Sequence, residues 1–167
     1  EIYNFKEAWV IGFSTSLLFL SSIIFQEAIH TFVSIEQGVK IKNITFYFLG
    51  AISQTERDCQ TAIGNIKIAL VRPLFCFVIA STLLFISSNS ESKEQIVINI
   101  VTRVAILNLF LGFLNLIPIG SLDGGTLLKS IIWYFSGSKN KGKKFLNKTN
   151  LVISISVFIF GIIALFT

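Results

Sequence analysis

The 167 residues are enough for one domain. Of these, 53% are hydrophobic and only 14% charged, and the mean hydropathy of +0.75 excludes an ordinary soluble domain, where about a quarter of residues carry charge. The net charge of +5 does not indicate nucleic acid as a partner: five lysines (Lys139, Lys141, Lys143, Lys144 and Lys148) fall in one short stretch, and no basic stripe is interleaved with aromatics elsewhere.

Cys59 and Cys76 lack metal-ligand spacing and read as unpaired thiols. The chain begins at Glu1 and contains no Met. Residues 1–167 are therefore read as a single domain that is a fragment or processed form of a longer protein.

From Ala8 to Phe25 there is no charge, which predicts a transmembrane helix. The helical pattern continues through Gln26–Glu36 and stops near Gly38. Residues 39–53 alternate apolar and polar side chains, then become β-rich and end at Gly50, predicting one or two short strands. Residues 54–66 are polar and loop-like. A second span is expected from about Ile66 to Ser88, with Arg72-Pro73 near its start; proline is tolerated in membrane helices where neighbours satisfy the freed backbone group.

After a short loop, Asn89–Glu94, a third span covers about Gln95 to Ile119, and Pro118 and Gly120 break it. Leu122 to Phe135 reads as a shorter helix with interfacial Trp133 and Tyr134. A basic loop, 137–148, precedes a last span from Asn150 to Thr167. The fold class expected is thus an all-α membrane protein, with about four transmembrane helices, a short β-rich insert and a helix broken at Asp123-Gly124-Gly125.

Counting Lys and Arg, loop 137–148 carries five and loop 31–65 three, against one each in the N-terminal segment and loop 89–94. The positive-inside bias then puts the two richer loops in the cytoplasm. The first helix reaches His30 about 22 residues after Ala8, or ~33 Å at ~1.5 Å per residue, roughly one hydrocarbon thickness. The third span also runs inward and ends at Asp123. Two polar clusters, Gln26-Glu27-Ala28-Ile29-His30 and Asn115 to Gly125, should therefore lie at one depth near the cytoplasmic leaflet.

Positions 26 and 30 share a helix face, one turn apart. In the pattern H-E-x-x-H that geometry lets two His hold zinc while the Glu activates a bound water. Here Glu27 and His30 are in place and Gln26 stands at the first ligand position. Asp123 is the candidate third ligand, since a carboxylate at membrane depth is costly and marks a site or a partner. Plainer roles stand beside these. Asp123 could cap the helix that follows it, Gly124 and Gly125 could permit a tight turn, and Asn108 could join two helices.

The chain resembles the site-2 protease family of intramembrane zinc metalloproteases, peptidase family M50. The resemblance runs over nearly the whole sequence: the helix ending in x-E-x-x-H, Gly38, the β-rich stretch ending near Gly50-Ala-Ile-Ser-Gln54, Leu70-Val71-Arg72-Pro73, and Asn115-x-x-Pro118 followed by Asp123-Gly124-Gly125. It implies one zinc ion held by His30 and Asp123 with Gln26 at the remaining position, Glu27 as general base, and Asn115 positioning substrate or transition state. The β-rich stretch would receive an unwound substrate helix by strand addition.

The implied reaction is peptide hydrolysis in a membrane-spanning protein substrate, within the lipid bilayer of a bacterial plasma membrane or a plastid. Oligomeric state is left open. Two positions depart from the pattern. Arg72 replaces a glycine expected before Pro73, where helices pack closely. Gln26 offers a neutral, weak carbonyl donor to a metal that prefers His, Cys and carboxylate, and no other His exists, so zinc affinity should fall. The alternatives are a non-catalytic relative that binds membrane segments without cutting them and, more remotely, a small transporter or channel subunit.

Overall fold

The computed structural model describes residues 4–47, 50–55, 59–89, 95–120 and 122–166. The first helix, α1 (Phe5–Glu36), opens on a capping box in which Glu7 N donates to Asn4 Oδ1 at 2.9 Å and Asn4 N donates to Glu7 Oε2 at 3.1 Å. These reciprocal bonds satisfy donors that a helix start leaves unpaired. It closes where the sequence places a glycine: Gly38 takes a left-handed φ of +77°, Gly38 N donates to Ile35 O, and Val39 N donates to Ser34 O. That pair of bonds is a Schellman C-cap.

The β-rich stretch is an antiparallel hairpin of β1 (Ile41–Tyr47) and β2 (Gly50–Thr55), with Ile44 opposite Ser53 and Phe46 opposite Ala51. The register is irregular between Ile41 and Asn43. Arg57 and Asp58 lie outside the described residues, as do 90–94 of the loop that follows the next helix.

Helix α2 (Ala62–Ser88) begins earlier than the sequence predicts. Thr61 extends the helix into the polar stretch by accepting from Gly64 N at 3.1 Å, an N-cap that local composition conceals. Pro73 is buried inside α2. Helix α3 (Gln95–Leu116) stops before Pro118, α4 (Asp123–Ser136) ends at left-handed Gly137, and α5 (Lys139–Phe166) completes the chain. The expected basic loop is a second revision, because Lys139–Lys148 forms the first turns of α5. Lysine is a good helix former and the stretch runs unbroken into the apolar span.

Helices α1, α2, α3 and α5 are each long and apolar enough to cross a membrane. Helix α2 is the hub, packed on α1, α3 and α4; α1 also packs on α3, and α5 lies against α4. Ile23, Cys76 and Leu111 meet where α1, α2 and α3 converge, with Phe19 against them. The approach there is close: a Cβ on Gly112 would stand 3.1 Å from Cys76 Cβ. One turn away, Ser22 Oγ of α1 donates to Asn108 Oδ1 of α3 at 2.9 Å, and Asn108 Nδ2 donates to Val104 O. Asn108 is helix–helix glue. Large apolar side chains face outward along all four spans, from Phe13 and Phe25 to Phe158 and Phe160, as lipid contact requires.

A buried polar centre where α1, α2 and α4 meet

Three polar residues of α1 point into the bundle: Gln26 is 3% exposed, Glu27 1% and His30 7%. Their inward face follows from helical spacing, since 23, 26, 27 and 30 fall on one side and Ile23 on that side is core. From α4, Asp123 enters at 8% exposure. The two clusters that the sequence places at one depth therefore meet in space.

Between them stands Arg72 of α2. Its Nη2 donates to Glu27 Oε2 at 2.6 Å and its Nε to the same oxygen at 3.1 Å. Its Nη1 donates to Asp123 Oδ1 at 3.0 Å and to Oδ2 at 3.3 Å. A planar guanidinium has its donors in a fork, so one side chain can serve two carboxylates that arrive from different helices. Without that cation two buried carboxylates would face one another, an arrangement that burial makes expensive.

Gln26 is engaged elsewhere. Its Oε1 accepts from Cys76 Sγ of α2 at 2.9 Å. His30 Nδ1 has no hydrogen-bond partner among the described residues and lies 3.9 Å from Glu27 Oε1.

Asp123 is not the cap of α4. The N-cap is Leu122, without a side-chain cap bond, and Asp123 is the first helical residue with both carboxylate oxygens on Arg72. The two glycines behind it have a steric function. A Cβ on Gly124 would run into the carbonyls of Leu116 and Ile117, and one on Gly125 into the carbonyl of Ile119. These are backbone atoms and cannot swing aside, so the first turn of α4 can seat against the turn after α3 only without side chains. Gly120 N of that turn also donates to Asn150 Oδ1 of α5 at 3.1 Å. Asn115 is half-buried near the end of α3.

The donors do not fit a zinc ion in this arrangement. Zinc needs three or four N, S or carboxylate donors with free lone pairs. Both oxygens of Asp123 accept from the positively charged Arg72, which disfavours a second cation there, and the carbonyl of Gln26, a weak neutral donor, accepts from a thiol. Among the described residues, no group of three His, Cys, Asp or Glu is placed to hold a metal. Sequence reasoning treated Arg72 only as a packing change and Cys76 as an ordinary thiol. The signal for Arg72 was present, since a charge inside an apolar span demands a buried partner.

Fold and site together define a multi-pass integral membrane protein with a composite polar centre, assembled from an x-E-x-x-H helix and a broken Asp-Gly-Gly helix. Comparison with known proteins identifies the group. The model of peptidase family M50 matches residues 85–157. Zinc metalloprotease MJ0392 of Methanocaldococcus jannaschii is 30% identical over 169 residues, covering 99% of this chain and 45% of that protein. A Synechocystis protein named as a candidate zinc metalloprotease, sll0528, is 32% identical over 136 residues, 80% of this chain and 35% of its own length.

Among solved structures, the site-2 protease from Methanocaldococcus jannaschii superposes with a TM-score of 0.69 at 26% identity, covering 94% of this chain and 69% of that one. The chain belongs to peptidase family M50, the site-2 protease family. It spans between about a third and a half of the curated relatives it matches.

Proposed function

We propose that this chain is a non-catalytic member of the site-2 protease family, which uses the family fold to hold a membrane-spanning segment of another protein without hydrolysing it. One observation carries the reading: the Arg72 guanidinium donates to both Glu27 and Asp123. A general base must accept a proton from water within hydrogen-bond reach, and one of the two oxygens of Glu27 is held by two bonds from arginine. The hairpin supports the holding role. A two-stranded sheet has open edges, and an extended segment can join such an edge through main-chain bonds. The proposed setting is the cytoplasmic side of a bacterial plasma membrane.

The test is reconstitution in liposomes with a panel of labelled membrane-spanning peptides. Expected are binding by energy transfer or photocrosslinking, no proteolytic product, and no zinc retained after purification. Cleavage that a chelator stops and that Glu27→Gln abolishes would overturn the reading.

A catalytic reading rests on the meeting of Glu27, His30 and Asp123 in one buried cluster. In it His30, Asp123 and Gln26 would hold zinc, with Glu27 as base and Asn115 as the positioning residue. It requires Arg72 to withdraw and Gln26 to rotate away from Cys76. The same liposome experiment decides between them.

A further inference from the structure

We propose that Arg72 is a built-in cation that stands in the place of a metal, so that arginine and zinc are mutually exclusive in this centre and Gln26 is not the feature that by itself keeps metal out. The inference rests on the non-catalytic reading above and adds a cause to it.

Arg72 does for the fold what a bound ion would do. It is supplied by α2, and its donors reach a carboxylate on α1 and another on α4, which ties three helices through one positive group. The tie is internal to the bundle: the Arg72 side chain is 13% exposed, that of Glu27 2% and that of Asp123 10%. A zinc ion on Asp123 would sit about 2.0–2.2 Å from a carboxylate oxygen. Those oxygens already have Arg72 Nη1 at 3.0 and 3.3 Å, so a zinc ion on either would stand beside the guanidinium charge, and two cations that close repel strongly in a dry interior.

The neighbouring contacts fit the same picture. Gln26 uses its carbonyl to accept from Cys76, a bond that a metal ligand at position 26 would have to give up. The contacts of Arg72 and of Gln26 are therefore two parts of one arrangement, in which the charge requirement of Glu27 and Asp123 is met from within the chain.

The prediction is that restoring one residue is not enough. Wild type, Q26H, R72G and Q26H/R72G are purified in detergent with added zinc, desalted and assayed for bound metal and for the midpoint of thermal unfolding with and without chelator. Only Q26H/R72G should retain stoichiometric zinc and lose thermal stability to the chelator. Q26H should bind zinc at least roughly 10–100-fold more weakly, on the scale that neighbouring groups exert on metal sites. Because R72G could fail to fold, Q26H/R72Q is made in parallel; it removes the charge while keeping a side chain that can hydrogen-bond a carboxylate, and it should also retain zinc.

Zinc on Q26H as tight as on the double variants overturns the proposal, as does a folded double variant that binds none. Either result leaves the non-catalytic reading standing so long as wild type neither holds zinc nor cleaves. Zinc-dependent cleavage by wild type defeats that reading itself.

Discussion

Positive charge meets opposite fates in two regions of this molecule. Arg72 lies within the bundle, fixed by two carboxylates. Lys141, Lys143, Lys144 and Lys148 sit exposed on the first turns of α5. The first is one residue and holds three helices; the second is most of the chain's excess charge and holds none of them. Burial makes the difference. Water screens and solvates the exposed ammonium groups, whereas a buried carboxylate that loses its partner has no solvent to replace it.

The largest test of this contrast is Arg72→Leu, which removes the cation and leaves Glu27 and Asp123 buried together. A loss of about 3–5 kcal/mol is expected, measured by detergent or thermal unfolding. Adding Asp123→Asn and Glu27→Gln to that variant should recover part of the loss. An Arg72→Leu protein as stable as wild type would mean the ion pairs contribute nothing.

Next comes the backbone that delivers Asp123. Gly125→Ala drives a methyl group into the Ile119 carbonyl and should destabilise by about 1–3 kcal/mol, as overpacking does. A neutral result would show that α4 can slide away from the turn without losing its seat.

A neutral polar contact in the same bundle calibrates the charged one. Asn108→Leu breaks the bond to Ser22 and should cost on the order of 0.6 kcal/mol, the average for hydrogen bonds between membrane helices. If it matched Arg72→Leu, charge would not be what distinguishes the centre.

The smallest effect is expected on the surface. Lys143→Gln with Lys144→Gln should leave the unfolding midpoint unchanged, since exposed substitutions are usually near neutral. Their expected effect is on orientation, because the positive-inside bias acts through such residues. A protease-accessibility assay in inverted vesicles reads it.

Much of the fold was legible because membrane helices announce themselves by length and apolarity. The α1 boundary at Gly38 and the stop of α3 before Pro118 follow from single residues whose backbone preferences are strong. Short strands were visible in alternation and β-branched content, and their antiparallel pairing came only from the structure. Two boundaries were not. Thr61 starts α2 inside a polar stretch, and Lys139–Lys148 is helical although it reads as a loop. In both places composition reports solvent exposure, which a helix surface and a loop share.

For the centre, the sequence by itself determined that Gln26, Glu27 and His30 occupy one helix face, and that charge counts and span lengths bring Asp123 to the same depth. Helical periodicity and the thickness of a bilayer are enough for that. Only the tertiary structure decided what lies between them. Position 72 is forty-five residues from Glu27 and fifty-one from Asp123, and no local rule says which way a side chain one residue before a buried proline will point. The packing of α2 against α1 and α4 turned Arg72 inward, where two buried carboxylates needed a positive partner, and made what reads as a disturbed metal motif an arginine-centred ion-pair network.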